Sequence, residues 1–239
     1  MALAIFDLDE TLVACDSCSE FSKFMVAQGL AGPAFDVRHR QMMALYGSQQ
    51  LVLSDYIRFF LAPLSALSCS DIQDLLPGFV EQYIVPKIYP QALQTLGEMR
   101  AQGHRVLIVS ATAEFIVRAI ATKLGVEDVL AIELAVEKNH YSGEIKGVPT
   151  FREGKVIRLQ RWLSEQNETM DGAYFYSDSI NDLPLLEQVD YPVVANADLQ
   201  LQRIAEKRQW PAVNWAGTYP ENEQAFCVTP LESQETTHV

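Results

Sequence analysis

Leu3-Ala4-Ile5-Phe6-Asp7-Leu8-Asp9-Glu10-Thr11 is the stretch on which the reading of this chain turns. Four apolar residues make the pattern of a buried strand, which stops abruptly on two carboxylates spaced two apart. A buried carboxylate without a partner is costly, so core strands normally lack them. The carboxyl end of a strand is also where open α/β sheets bind their ligands. Taken alone, the stretch fits equally well a strand that ends in a polar turn, and the rest of the chain has to decide.

Working outward, a long helical pattern follows Thr11. Residues 19–29, 33–46, 54–61 and 70–83 each carry apolar positions at helical spacing between Gly, Pro or Ser punctuation. No strand pattern interrupts them. From Pro86 the grammar changes to alternating helix and strand. Pro90 opens a helix that Gly103 closes, and residues 105–110 form a near-continuous apolar strand. Ser110-Ala111-Thr112 is expected to start the next helix, which ends at Gly125. Residues 132–148 alternate around Asn139-His140 and Ser142-Gly143, which predicts a small hairpin. Next come a helix over about 155–166, a strand over 173–177, a loop over 178–182 with a short helix, a last strand over 191–195, and a helix through about Arg208. The pattern predicts an α/β fold, a Rossmann-like parallel sheet with an inserted helical domain. Residues 1–13 and 86–215 would form the core and 14–85 the helical cap. Residues 216–239 lose periodicity and read as a loosely packed or disordered tail.

The chain has 239 residues and a net charge of −13. That balance disfavours a nucleic-acid backbone or an anionic membrane surface as partner. It leaves an anionic small molecule open, because a bound divalent cation reverses the local field. The N-terminus lacks the basic and long apolar segments of a secretory signal, and no apolar stretch is long enough to span a bilayer. Four cysteines (Cys15, Cys18, Cys69 and Cys227) are few for a disulfide scaffold, so a cytoplasmic location is expected. Cys15 and Cys18 make a C-x-x-C without a thioredoxin context or a second ligand pair, and read as free thiols at a helix start.

Several polar residues stand at strand ends or in adjoining loops: Asp7 and Asp9, Ser110, Lys155, and Asp178 with Asn181 and Asp182. In a parallel sheet these points can converge on one crevice. So many carboxylates beside one lysine would repel each other without a cation, and an all-oxygen donor set suits Mg²⁺. The set suggests metal-assisted phosphoryl chemistry, with a carboxylate as nucleophile. Each residue alone has a plainer reading. Ser110 can be a helix cap, or Thr112 the actual cap, and Asp178 and Asp182 can cap the next helix. Lys155 is an ordinary helix-start lysine, where the dipole disfavours it unless an anion is near. Lys138 and Lys146 compete for its role.

On these residues the chain resembles the haloacid dehalogenase superfamily, on its phosphatase side, nearest the phosphoserine-phosphatase-like branch with a helical cap. Four motifs match in order: DLDET at 7–11, VLIVSAT at 106–112, Gly154-Lys155, and SDSINDLPLL at 177–186. The resemblance implies Asp7 as the nucleophile that forms an aspartyl-phosphate, and as a metal ligand. It implies Asp9 as the acid for the leaving alcohol and then the base for water, with its backbone carbonyl facing the metal. Ser110 would bond the phosphoryl group and Lys155 would balance charge. Asp178 would ligate Mg²⁺, and Asp182 would hold the metal's water shell or the lysine. Thr11, Asp16, Ala111 and Asn181 would contact the substrate. An acid at Asp9 favours phosphoester turnover by a phosphatase, with a phosphotransferase or mutase, or an inactive phosphate-binding regulator, as alternatives.

The substrate is expected to be a small phosphorylated metabolite. Asp16 lies nine residues after Asp7, where phosphoserine phosphatases carry an acid that meets the substrate amine; capping the first helix is the competing reading. Arg58 is the only candidate for the arginine with which those enzymes grip a carboxylate, and it looks out of register. A missing clamp favours an amine-bearing substrate without a carboxylate, such as histidinol phosphate. Arg38, His39 and Arg40 read as a solvated helix face. The apolar residues Phe21, Phe24, Phe35, Met42, Met43, Tyr46, Tyr56, Phe59 and Phe60 read mostly as core, with two or three left to line a pocket. Oligomeric state has no signature in the sequence.

Overall fold

The structure is a computed structural model that describes residues 2–47 and 50–217. Strand β1 (Leu3–Phe6) is buried along its whole length. The helical stretch that follows comprises α1 (Ser17–Ala27), α2 (Pro33–Gly47), α3 (Leu53–Leu61) and α4 (Cys69–Phe79), which runs on into a π-helical turn over Val80–Ile84. Local chemistry sets the starts of these helices. The Asp16 carboxylate accepts from the Ser19 amide at 2.6 Å to cap α1, and Ser68 and Asp71 form a reciprocal capping box on α4. Helix α5 (Pro90–Ala101) begins on proline, whose fixed φ suits the first turn.

The sheet resumes with β2 (Arg105–Ala113), α6 (Glu114–Lys123) and β3 (Asp128–Ile132), and then the antiparallel pair β4 (Leu134–Glu137) and β5 (His140–Ile145) makes the expected hairpin. Helix α7 (Glu153–Gln166), β6 (Tyr174–Ser177), α8 (Leu183–Leu186), β7 (Tyr191–Ala195), α9 (Leu199–Arg208) and β8 (Ala212–Val213) complete the described chain. Six parallel strands lie in the order β3-β2-β1-β6-β7-β8. The order reverses at β1, so the crevice of this doubly wound sheet opens at its carboxyl end. Alternation along the strands feeds two cores: Ala4, Phe6 and Ile108 face one, Leu3, Ile5, Leu107 and Val109 the other.

The helical stretch packs onto the first core through aromatic rings. Phe21 meets Phe79 at 5.0 Å and Phe115 of α6 at 5.6 Å, both edge-on. Each such buried ring contributes about 1.5–3 kcal/mol of transfer free energy. This seat fixes α1 over the ends of β1 and β2.

Two expectations need correction. Ser110-Ala111-Thr112 does not start a helix: β2 continues to Ala113, and α6 begins at Glu114 with no side-chain cap. The β2–β3 register shifts between Val109 and Ala113, so this stretch is a strand irregularity that re-aims its side chains. The two-residue strand β8 is an addition that the sequence pattern is too short to signal. Residues 218–239, with most of the expected tail and Cys227, lie outside the described residues, as does the side chain of Tyr46.

Candidate active site

A cleft of about 150 Å³ opens where β1, β2 and β6 end. The register explains why. Phe6 pairs with Ile108 and with Tyr176, so Asp7, the β2 irregularity and Ser177-Asp178 stand at one level. The Asp7 amide donates to the Tyr176 carbonyl at 2.9 Å, continuing the ladder one residue past β1. Leu8 then turns into the core between the two acids. Asp7 and Asp9 therefore both line the cleft, together with Ser110, Ala111, Lys155, Asp178, Asn181 and Asp182.

Lys155 is the electrostatic centre of the floor. Its ammonium donates to Asp7 Oδ1 and to Asp182 Oδ2, both at 2.7 Å, and all three side chains are buried. Burial pulls the Lys155 pKa down, but the Asp182 and Asp7 carboxylates more than reverse this and leave it raised. Gly154 sets the lysine in place. A Cβ there would lie 1.9 Å from the Pro149 carbonyl oxygen, so only glycine lets α7 begin this close to the preceding loop. Lys146 is mostly exposed and pairs with Glu133, and Lys138 sits at the hairpin turn, so neither reaches the cleft.

The carboxylates are under strain from burial and from one another. Burial pushes Asp7 up to about 6, against the pull of Lys155. Burial also pushes Asp9 up to about 7, with the Asp16 charge adding to it. Asp178 is raised well above the usual carboxylate value by burial and then by the charges of Asp7 and Asp182. One lysine does not neutralise this group.

Other residues hold these in place. The Thr11 hydroxyl donates to Asp178 Oδ1 and accepts from the Asp178 amide, each at 3.0 Å. Thr11 is fully buried and does not line the cleft, and its hydroxyl holds Asp178 in place. Asp182 Oδ2 accepts from Lys155 and from Ser177 Oγ, each at 2.7 Å. Neither Asp178 nor Asp182 caps the following turn; Ser179 does. Asn181 Oδ1 accepts from Arg152 Nε at 3.1 Å, which leaves its amide nitrogen for the cleft. Ser110 Oγ accepts from the Thr112 amide at 3.1 Å and keeps its own proton for a ligand.

The roof comes from the helical stretch: Asp16, Cys18, Met43, Leu51, Leu53 and Tyr56. Asp16 caps α1, and it also lines the cleft. Of the apolar residues expected to be core or pocket, Met43 and Tyr56 reach the cleft; Leu51, Leu53, Glu10 and Cys18 line it too, and their sequence pattern carries no signal that points there. Arg58 is exposed, donates to Glu144 and Asp55, and lies off the cleft. The solvated-face reading holds for Arg38 and Arg40 but fails for His39, which is fully buried with Nε2 3.0 Å from the Tyr56 hydroxyl.

The arrangement is chemically suited to a cationic ligand atom among oxygen donors and to an anionic group beside Lys155 and Ser110. Among the described residues, no three His, Cys, Asp or Glu side chains close into a finished metal cage. The donor set is instead open, with crowded, under-neutralised carboxylates at Asp7 and Asp178 beside the Asp9 backbone, and a hard divalent cation fits it.

Comparison with known proteins identifies the family. The haloacid dehalogenase-like hydrolase family matches residues 4–187. A protein of Neisseria meningitidis serogroup C (strain 8013) named histidinol-phosphatase is 34% identical over 89% of this chain and 98% of its own length. A crystal structure of a Bordetella pertussis Tohama I protein superposes with a TM-score of 0.84 at 35% identity, over 90% of this chain and 98% of that one. A substrate-bound phosphoserine phosphatase shares the fold with a TM-score of 0.63 at 18% identity, over 84% of this chain and 89% of that one. Among the described residues no helix is long and apolar enough to cross a membrane.

Proposed function

We infer, since this chain belongs to the haloacid dehalogenase-like hydrolase family, that it is a Mg²⁺-dependent phosphatase of a small phosphorylated metabolite, acting through an aspartyl-phosphate on Asp7. The observation that carries this reading is the convergence of Asp7, Asp9, Ser110, Lys155 and Asp178 on one small cleft. In the first step an Asp7 carboxylate oxygen attacks phosphorus, and the bond from phosphorus to the alcohol oxygen breaks. Asp9 gives its proton to the departing oxygen; a pKa near 7 suits it to give and regain a proton near neutrality. In the second step Asp9 takes a proton from water, whose oxygen attacks phosphorus and frees Asp7 and inorganic phosphate. Lys155 stays charged throughout and fixes Asp7 by its 2.7 Å bond to Oδ1. Ser110 Oγ donates to the phosphoryl oxygens. The carboxylates of Asp7 and Asp178 and the Asp9 backbone carbonyl would hold Mg²⁺, which would supply charge neutralisation for the phosphoryl group.

The roof supports a narrower substrate reading. Its charged contribution is acidic, from Asp16 with Glu10 at the rim, and among the described residues it offers no cation. The candidate carboxylate clamp, Arg58, is engaged by Glu144 at 2.9 Å outside the cleft. A second anionic group on the substrate would meet Asp16 unpaired, whereas an ammonium would be matched. Met43, Leu51, Leu53 and Tyr56 offer apolar surface for the body of the alcohol. We therefore favour an amino-alcohol phosphate without a carboxylate, of the histidinol phosphate type, over phosphoserine. The first test is phosphate release from such esters with Mg²⁺ and with chelator, beside a folded Asp7→Asn variant. Release that depends on Mg²⁺ and is lost in the variant supports the reading; release by Asp7→Asn at the wild-type rate would exclude it.

A further inference from the structure

Behind Asp9 runs a line of buried polar side chains that no step above uses. Thr112 Oγ1 donates to Asp9 Oδ2 at 2.7 Å. Cys18 Sγ donates to Thr112 Oγ1 at 3.7 Å. The Tyr56 hydroxyl is an electrostatic neighbour of the Cys18 thiol, and His39 Nε2 lies 3.0 Å from that hydroxyl. All four side chains are buried, within a core otherwise packed by rings such as Phe60, against which both Tyr56 and His39 lie. Polar groups in such a place are expensive unless satisfied, and an apolar set would pack there with less risk.

The direction of the line follows from proton counting. Thr112 spends its one proton on Asp9, so its oxygen accepts from Cys18. Cys18 spends its proton on Thr112 and has only its sulfur lone pairs left to face Tyr56. His39 Nε2 and the Tyr56 hydroxyl share one hydrogen bond, with His39 donating when its ring proton is on Nε2. His39 Nδ1 has no partner, as expected of a neutral ring whose single proton is on Nε2. Cys18 and Thr112 thus donate in one direction and end on one carboxylate, a geometry in which each bond strengthens the next, and the hydrogen-bonded His39–Tyr56 pair lies behind them. Three of the four residues come from α1, α2 and α3 of the roof, and the fourth from the β2 irregularity of the floor. The other Asp9 oxygen accepts from the Ser17 amide at 2.9 Å, again from α1.

We propose that Thr112, backed by Cys18, Tyr56 and His39, is a positioning device that fixes the plane of the Asp9 carboxylate and ties it to the seating of the helices over the cleft. The proposal rests on the reading of Asp9 as proton donor to the leaving alcohol. It makes Thr112 a positioning residue, one that acts through Asp9 without touching the phosphoryl group.

The test uses two esters that differ in their need for that proton. p-Nitrophenolate leaves without protonation, whereas an alkoxide such as that from 2-aminoethyl phosphate does not. The readout is kcat/KM, which reports the step in which the alcohol departs. Thr112→Val is expected to lower kcat/KM for the alkyl ester about tenfold more than for the aryl ester, a part of the total that general acids supply. Thr112→Ser, which keeps the hydroxyl, restores the ratio. Tyr56→Phe and His39→Leu shift it in the same direction by less. An equal loss on both esters, or a lower melting temperature with an unchanged ratio, would overturn the proposal. Asp9→Asn separates the two layers. If it is selective for the alkyl ester and Thr112→Val is not, the positioning role fails and the acid role stands; if it is not selective, the acid role fails and the positioning role with it.

Discussion

The floor and the roof of the cleft are built on opposite plans. The floor is a closed electrostatic unit in which Lys155 joins Asp7 to Asp182, Ser177 supports Asp182, and Thr11 pins Asp178. The roof is apolar and acidic, with Met43, Leu51, Leu53 and Tyr56 around Asp16 and, among the described residues, no cation. A group that must attack phosphorus has to be held to a fraction of an ångström, and charge-assisted bonds from rigid strand ends do that. A surface that chooses among alcohols needs shape and one matched charge, which helices packed by aromatic rings provide. The difference separates chemistry from selection, and mutations on the two sides should fail in different ways.

The largest expected effect lies in the floor. On the proposed role of Asp7 as nucleophile, Asp7→Asn should lower kcat by about 10⁴-fold or more on every phosphoester, as single-turnover phosphate release would measure. Lys155→Met should cost about 3–5 kcal/mol of stability in urea titration, since it leaves buried carboxylates without their counter-charge. Gly154→Ala should cost about 10²-fold in kcat, because the Pro149 carbonyl forces the start of α7, and with it Lys155, to shift. Mg²⁺ should raise the melting temperature of the wild type, and Asp178→Asn should abolish most of that rise.

The roof should break more selectively. Asp16→Asn is expected to lower kcat/KM about tenfold for an amine-bearing ester and much less for one without an amine, through loss of a charge-assisted contact. A roof variant that hit both esters equally would erase the contrast. The smallest effect concerns His39. Burial lowers its pKa against the opposing charges of Asp16 and Asp36, so it stays neutral in the folded chain. Its contribution is therefore full above the unfolded value of about 6.5 and is lost as pH falls from there through the lowered folded value. His39→Gln should flatten that part of the stability profile, as thermal melts between these pH values would reveal.

Much of the floor was legible because each of its residues sits in a short local pattern beside a strand end, and a parallel sheet brings strand ends together. The β2 irregularity was not legible. Whether Ser110-Ala111-Thr112 continues a strand or opens a helix depends on pairing with β3, which lies fifteen or more residues away. His39 was misread because Arg38 and Arg40 flank it, yet one helical residue turns the chain by about 100°, enough to take the middle side chain inward. Thr112, Cys18 and Tyr56 carry no pattern that announces their line to Asp9, which exists only once α1 and α3 are seated on the sheet. Strand β8 escaped because two residues are too few to show alternation.

The central claim is that the floor performs phosphoryl transfer while the roof selects an ammonium-bearing alcohol without a carboxylate. The most direct measurement is kcat/KM with Mg²⁺ for histidinol phosphate, 2-aminoethyl phosphate and phosphoserine, the last two differing only in the carboxylate. The account predicts that histidinol phosphate is best and that 2-aminoethyl phosphate exceeds phosphoserine by about tenfold or more, the worth of one unpaired buried charge at the least. Phosphoserine turned over as well as, or better than, its carboxylate-free partner would contradict it.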